Sequence, residues 1–185
     1  MDSVEKALEY IKVHLKQIEK TEDVIACEEI LTTLITIHDG KTTPAARNFH
    51  HNYKGGWLVH TAEVIDFALK INEMIGKQYH PDEVILAGFL HDLEKPFTYV
   101  WKDENIKHIN FPCSEEALVF NACAKVGLHL SLEVISAIEF AHGGWSTQAN
   151  NRHVQPSNLS SIIHSADLMS SRFGKIGKNA ILKSE

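Results

Sequence analysis

The amino-acid sequence predicts an all-α fold in which the helices form one compact domain. Apolar residues recur at intervals of three and four positions through most of the chain, which is the spacing of an amphipathic helix. Capping residues, glycines and prolines divide that pattern into segments of helical length. The 185 residues are 44% hydrophobic, enough to form the core of a single domain, and they contain no internal repeat and no linker-like change of composition.

Two helices open the chain and form an N-terminal pair over residues 1–44. The first has its apolar positions at helical spacing: Val4, Leu8, Ile11, Leu15 and Ile18. Asp23 is the expected cap of the second helix, whose apolar positions begin at Val24, and Asp39-Gly40 ends it. A polar, irregular segment follows over residues 41–56.

The remaining helices belong to a core that we expect over residues 45–173. Their predicted ranges are 57–75, 81–92, 114–126, 131–141 and 156–169. Pro81 stands in a first turn, where proline is well tolerated, and Gly76 and Gly127 follow the ends of two of these segments. A basic tail over residues 174–185 ends the chain.

Residues 97–111 break the helical pattern. Aromatic and β-branched residues stand on both sides of a polar turn: Phe97, Tyr99, Val100 and Trp101 before it, and Ile106, Ile109 and Phe111 after it. Such a pattern is typical of paired strands. The segment is therefore expected to form either a small hairpin or a lid loop.

The His91-Asp92 pair is the most informative feature of the sequence. It ends an apolar helical run, residues 84–90, where two polar groups have no obvious structural purpose. Leaving them buried without partners would cost about 1–3 kcal/mol each, and more for the carboxylate. Three further polar groups stand on or beside apolar helical patterns and are available as partners: His60, His142 and Asp167.

The chemistry of these side chains indicates a metal site. Imidazole and carboxylate ligands suit Mn, Fe, Co, Ni or Zn, and three or four of them leave positions open for water. The chain has 12 histidines, whereas Cys27, Cys113 and Cys123 form no CxxC pair. A metal ion lowers the pKa of a bound water toward about 7 and can hold a phosphoryl oxygen. Metal-assisted hydrolysis of a phosphate ester is the chemistry that this set of residues favours.

The overall composition narrows the choice of partners and compartment. The net charge of −6 argues against a general nucleic-acid-binding surface. The tail is locally basic, and two interpretations of it remain: a solvated end of the chain, or a segment that contacts phosphate. No apolar run approaches the roughly 20 residues that span a bilayer. The acidic start of the chain does not resemble a signal peptide. We expect a cytoplasmic protein with no membrane partner, in which Cys27 and Cys123 are core thiols.

The order and spacing of the motifs resemble the HD superfamily of metal-dependent phosphohydrolases. The matching motifs are His50-His51-Asn52-Tyr53-Lys54-Gly55-Gly56-Trp57-Leu58-Val59-His60-Thr61, then His91-Asp92, His142-Gly143 and Ala166-Asp167. The first segment is most similar to the HD domain of certain bacterial exoribonucleases. The resemblance covers residues 45–173 and implies an HD-domain helical bundle that acts on a nucleotide or a short oligonucleotide.

The resemblance also implies roles for individual residues. The implied metal ligands are His60, His91, Asp92 and Asp167. Asp92 would also orient the attacking water, Lys95 would neutralise phosphate, and His142 would support the ligands or protonate the leaving oxygen. The residues before the first ligand helix would recognise phosphate at the mouth of a cleft, or else form a polar surface loop: Arg47, His50, His51 and Lys54.

Two departures from the family pattern limit what the resemblance implies. Glu94 stands where glycine usually follows the HD pair. The extra histidines that bind a second metal in some members are missing, because His108 and His129 are out of register. One metal ion is therefore favoured over two. A non-catalytic module that binds metal or nucleotide is the alternative function, and RNA is a less favoured substrate because of the negative net charge.

Overall fold

A computed structural model of the chain describes residues 3–143 and 155–174, and within these residues the fold is almost wholly helical. The helices are α1 (Val4–Leu15), α2 (Thr21–Thr36), α3 (Gly56–Met74), α4 (Pro81–Leu90), the short α5 (Lys95–Thr98), α6 (Glu115–Lys125), α7 (Leu132–Phe140) and α8 (Asn158–Phe173). The predicted all-α fold class is confirmed.

Serine caps start four of these helices. The Oγ atoms of Ser3, Ser114, Ser131 and Ser157 each accept a hydrogen bond from the backbone N–H three residues later. The prediction that Asp23 caps the second helix is wrong, because α2 begins at Thr21. Asp23 instead lies in the first turn of α2, where its negative charge interacts favourably with the positive end of the helix dipole.

Helix α3 lies at the centre of the fold. It packs against α1, α4 and α8, and α7 packs against α4 and α8. Its first ten residues, 56–65, are all buried, so that half of the helix has no solvent face. Any polar side chain in this half, including His60 and Glu63, therefore lies within the core.

Close packing of α4 on α3 brings the two helices' polar groups together. Gly88 of α4 lies against Ile65 of α3, and a Cβ atom at position 88 would come within 3.0 Å of Ile65 Cγ1. The missing side chain thus allows a close approach of the helices. One turn further along α4 is its C-cap residue, His91, which this approach brings near His60.

The β structure of the described residues is one hairpin, β1 (Tyr99–Lys102) and β2 (Asn105–His108), with Tyr99 opposite His108. Asp103 and Glu104 form its turn, both with positive φ, as a type I′ hairpin turn requires. Trp101 donates a hydrogen bond of 2.7 Å from Nε1 to the carbonyl of Thr42, which fixes the hairpin to the loop after α2. Of the two expected structures for residues 97–111, the chain forms the hairpin.

Among the described residues, no helix has both the length and the apolar character that crossing a membrane demands.

Candidate metal centre

Helices α3, α4 and α8 bring four predicted ligands into contact. His60 Nε2 lies 3.2 Å from Asp167 Oδ1, 3.5 Å from Asp92 Oδ2 and 3.3 Å from His91 Nε2. Ligand atoms of His60, His91 and Asp167 all lie within 4.8 Å of one another. His91 Nε2 is 3.8 Å from Asp92 Oδ2, so the second carboxylate borders the same small volume.

The ring of His91 is oriented by its own helix. Its Nδ1 lies 2.8 Å from the carbonyl oxygen of Gly88, which is an acceptor only, so Nδ1 carries the proton and donates. Nε2 of a neutral ring is then unprotonated and is directed at His60. Trp57 donates a hydrogen bond of 2.9 Å from Nε1 to the carbonyl of Asp92, which holds the turn after α4 against α3.

The ring of His60 is oriented by two residues that the sequence analysis did not identify. Its Nδ1 lies 2.9 Å from Ser170 Oγ, and Ser170 donates a hydrogen bond of 2.9 Å to Glu63 Oε2. Each of these residues stands three positions after a predicted ligand, Glu63 after His60 and Ser170 after Asp167. Residues three apart share a helix face, and that spacing was the available signal.

The donor set of this cluster fits a cation. Two imidazole nitrogens and two carboxylates converge, and both carboxylates favour the ionised form. Burial alone would raise the pKa of Asp92, but the charge of Lys95 and the neighbouring His91 hold it well below its usual range. Burial likewise opposes ionisation of Asp167, and the neighbouring His60 lowers its pKa to about 2. Acceptor atoms this close repel one another unless a positive ion lies between them.

The second oxygen of Asp92 faces cationic groups instead. His142 Nε2 lies 3.0 Å from Asp92 Oδ1, and Lys95 Nζ lies 3.5 Å from the same atom. Burial would lower the pKa of His142, but its hydrogen bond to Asp92 and the charge of Asp92 raise it to about 9. His142 therefore donates to Asp92 at neutral pH, and 35% of its side chain stays exposed.

Lys95 is not a solvated lysine at a helix end. Its side chain is 11% exposed, and Nζ lies 2.8 Å from Glu94 Oε1 as well as near Asp92. Burial disfavours the ammonium, but Asp92 and Glu94 raise its pKa well above the usual value. Glu94, which departs from the family pattern, thus supplies a buried counter-charge for Lys95. Tyr99 covers Lys95 from the hairpin, with 5.6 Å between Nζ and the ring centre.

The four residues predicted to recognise phosphate take different positions. His50 is partly exposed and its ring centre lies 4.7 Å from that of His60, which puts it beside the cluster. Arg47 and Lys54 are exposed. His51 is fully buried, and its Nε2 lies 3.1 Å from Glu63 Oε2. The expected place of His51 at a cleft mouth is therefore wrong, because its ring supports the residues behind His60.

A pocket of about 450 Å³ lies between the segment before α3 and the hairpin. Its lining residues are Arg47, Asn48, Asn52, Trp101, Glu104, Asn105, Ile106 and Lys107. Arg47 and Asn52 come from the segment that contains His50 and His51, so the pocket and the cluster share that segment.

Several predicted features lie elsewhere. His108 is 3.2 Å from Glu115, and His129 is exposed. Residues 144–154, between α7 and α8, lie outside the described residues. So does the basic tail beyond residue 174, with Lys175, Lys178 and Lys183.

Comparison with known proteins adds two matches. A family model described as HD domain matches residues 57–171, more than half of the chain. A curated protein from Methanocaldococcus jannaschii, dihydroneopterin 2',3'-cyclic phosphate phosphodiesterase, is 27% identical over 152 residues, which are 80% of this chain and 57% of that protein. The chain thus spans little more than half the length of this relative. Neither match points to the exoribonuclease type, and no solved structure matches the chain.

Proposed function

The chain belongs to the HD-domain family, and on that premise we propose that it is a metal-dependent phosphohydrolase that cleaves a phosphate ester of a nucleotide-like molecule. The main support is the convergence of His60, His91, Asp92 and Asp167, with Nε2 of His60 within 3.5 Å of all three partners. A partly exposed histidine, His142, lies at the edge of this cluster.

We assign the four converging residues as ligands of one divalent transition metal, Mn, Fe, Co, Ni or Zn. A single ion is favoured because, in the described part of the chain, the spare histidines His108 and His129 do not join the cluster. Such an ion, when bound, lowers the pKa of water and stabilises negative charge on a phosphoryl oxygen.

The two oxygens of Asp92 have separate proposed roles. Oδ2 faces His60 and His91 and is the ligand atom, whereas Oδ1 accepts from His142 and lies near Lys95. The ammonium group of Lys95 stabilises the ionised form of Asp92. Because the same ammonium also pairs with Glu94, it offsets only part of the negative charge of a phosphate. His142 is the group in reach of both Asp92 and solvent, and its proposed role is to give a proton to the leaving oxygen.

The substrate that we propose carries a heterocycle and a cyclic phosphodiester. The name of the methanogen relative describes such a molecule, a pterin with a 2',3'-cyclic phosphate. The pocket between the hairpin and the segment before α3 offers an indole wall, Trp101, and amide groups for a heterocycle edge, Asn52 and Asn105. Arg47 lines the same pocket and is suited to bidentate contact with phosphate.

The proposal is tested with protein freed of metal and then supplied with Mn, Fe, Co, Ni or Zn one at a time. The substrates are 2',3'-cyclic nucleotides, a pterin 2',3'-cyclic phosphate, nucleoside monophosphates and a short oligoribonucleotide. We expect metal-dependent opening of a cyclic phosphate, a loss of at least 100-fold in Asp92→Asn because a ligand atom and its charge are removed, and unchanged activity in His129→Ala.

Hydrolysis of none of these substrates with any of the metals would contradict the proposal. If a nucleotide or pterin ligand instead bound to the metal-loaded protein without being cleaved, the non-catalytic binding module would replace it. Cleavage of the oligoribonucleotide alone would restore the ribonuclease alternative.

A further inference from the structure

The hydrogen bonds behind His60 form one connected chain of buried groups. His60 Nδ1 lies 2.9 Å from Ser170 Oγ, which lies 2.9 Å from Glu63 Oε2, and the same oxygen lies 3.1 Å from His51 Nε2. These four side chains are at most 5% exposed. They come from α3, α8 and the segment before α3, so no single element determines the arrangement.

The direction of each hydrogen bond in this chain of groups follows from Glu63, whose carboxylate is the common acceptor. Burial raises the pKa of Glu63, but its hydrogen bonds to His51 and Ser170 lower it below the usual value. A carboxylate only accepts, so both Ser170 and His51 donate to it. Ser170 has a single hydroxyl hydrogen, and with that hydrogen given to Glu63, its oxygen can only accept from His60. A neutral His60 that donates to Ser170 carries its proton on Nδ1, and its Nε2 atom, which faces Asp167 and Asp92, is then available to bind a metal ion.

We propose that Ser170 and Glu63, supported by His51, are positioning residues: Ser170 accepts the Nδ1 proton of His60 in the metal-bound protein and so directs the Nε2 atom of the ring at the metal site. This inference rests on the proposed function in that it takes His60 as a ligand. It concerns the orientation of the ring and the hydrogen bond that its Nδ1 proton makes when a metal ion is bound.

The position of His51 supports this assignment. Its backbone is in the left-handed region, with φ of 50°, which is uncommon for a residue other than glycine. Gly56 makes room for it, because a Cβ at position 56 would overlap the carbonyl oxygen of His51. Gly174 at the end of α8 likewise lies against Glu63 and His51, where a Cβ would collide with both. The local backbone thus accommodates a histidine that points inward to Glu63 instead of out to a substrate.

The hydrogen bond is measured by ¹H–¹⁵N NMR of histidine-labelled protein loaded with Zn²⁺. We expect a slowly exchanging Nδ1 proton on His60, because that proton is buried and donated to Ser170. Glu63→Met removes the acceptor of the Ser170 hydroxyl, which can then turn its hydrogen toward His60, so we expect the Nδ1 proton to exchange faster. Glu63→Gln keeps an acceptor oxygen, and we expect it to retain the slow exchange.

Metal affinity gives a second readout that needs no turnover. In competition with a chromophoric chelator for Zn²⁺ or Co²⁺, Ser170→Ala should bind about 10–100-fold more weakly than the wild type, as is typical when a group that orients a ligand is lost. Ser161→Ala removes an exposed serine from the same helix and should bind like the wild type. Circular dichroism and melting temperature establish that each variant is folded.

Two results would overturn the inference: a fast-exchanging Nδ1 proton of His60 in the Zn²⁺-loaded wild type, or wild-type metal affinity in folded Ser170→Ala and Glu63→Met. These results are separate from those that test the proposed function. A wild type with a slowly exchanging Nδ1 proton on His60 and tight metal binding, but with no hydrolysis, would support the positioning role and contradict the phosphohydrolase.

Discussion

His60 and His91 both offer Nε2 to the site, but they are held there by different means. His91 donates from Nδ1 to the backbone carbonyl of Gly88, an acceptor that no substitution removes. His60 depends on Ser170, a side chain 110 positions away in the sequence. Substitutions far from His60 in the sequence can therefore disturb the orientation of its ring while leaving the orientation of His91 unaffected.

The cysteines allow a test of the core that does not involve the metal centre. Burial, together with the neighbouring Cys123, raises the pKa of Cys27 to about 12, and burial raises the pKa of Cys123 to about 11. The thiolate is the form that is alkylated, so both thiols stay protonated and unreactive at neutral and mildly alkaline pH. Cys113 is exposed.

We expect a thiol reagent to label Cys113 alone in the native protein and all three cysteines in denaturant. Raising the pH increases the thiolate fraction about tenfold per unit below the pKa, so labelling of Cys27 and Cys123 should become faster as the pH rises. Peptide mass spectrometry identifies the labelled sites. Equal labelling of the three cysteines in native protein at neutral pH would show that the core is not packed as described.

At the residue scale, the candidate ligands could be selected from the sequence, and the residues that contact them from behind could not. His91-Asp92 stands out because it ends an apolar run, and that signal is local. Ser170 and Glu63 are 107 positions apart and carry no local sign of their contact, since serine and glutamate are ordinary on helices. His51 was expected beside substrate because it stands in the polar segment before the first ligand helix, and only its contact with Glu63 explains its burial.

At the element scale, the first turn of α3 is the part of the fold that supports the candidate site most directly. Gly55 is its N-cap in the left-handed region, and Gly56 is its first residue, in contact with the backbone of His51. This contact joins the segment that contains His50 and His51 to the helix that contains His60 and Glu63.

Gly56→Ala should therefore destabilise the fold, because the added methyl group must displace the backbone at His51. Overpacking of this kind costs about 1–3 kcal/mol, measured as a fall in the free energy of unfolding in urea. We also expect weaker metal binding, because His51 would shift away from Glu63. Gly127→Ala is the matched control: its φ of 71° imposes strain, but nothing lies within 4 Å of an added Cβ, so metal affinity should not change. Equal metal affinity in folded Gly56→Ala and Gly127→Ala would contradict the role given to this contact.

At the element scale, helices were predictable from periodicity, and their ends less so. Helix α3 matches its predicted range to within one residue at each end because glycines stand at both boundaries. Helix α8 runs beyond Met169 to Phe173, since Ser170 belongs to its buried face and no glycine stops it before Gly174. The hairpin and a lid loop were both compatible with residues 97–111, and the choice depends on the turn at Asp103-Glu104 and on the contact of Trp101 with Thr42.

Across the whole molecule, the fold brings together residues that are far apart along the chain. The candidate ligands come from α3, the end of α4 and α8, and the packing of α3 against both other helices makes them neighbours. The sequence could predict helices with polar groups on apolar faces, but their convergence was inferred from the family resemblance. Periodicity shows which face of a helix is buried and leaves open which other helix it meets.

The central claim is that His60, His91, Asp92 and Asp167 bind one metal ion, and its most direct test is the metal content of the purified protein. Protein equilibrated with each transition metal, then freed of excess metal without a chelator, is analysed for its elements beside single alanine variants of the four residues and the control His129→Ala. We predict one ion per chain in the wild type and in His129→Ala, and strongly reduced content in each of the four variants. Full metal content in any of those variants, provided they are folded, or no stably bound metal in the wild type, would contradict it.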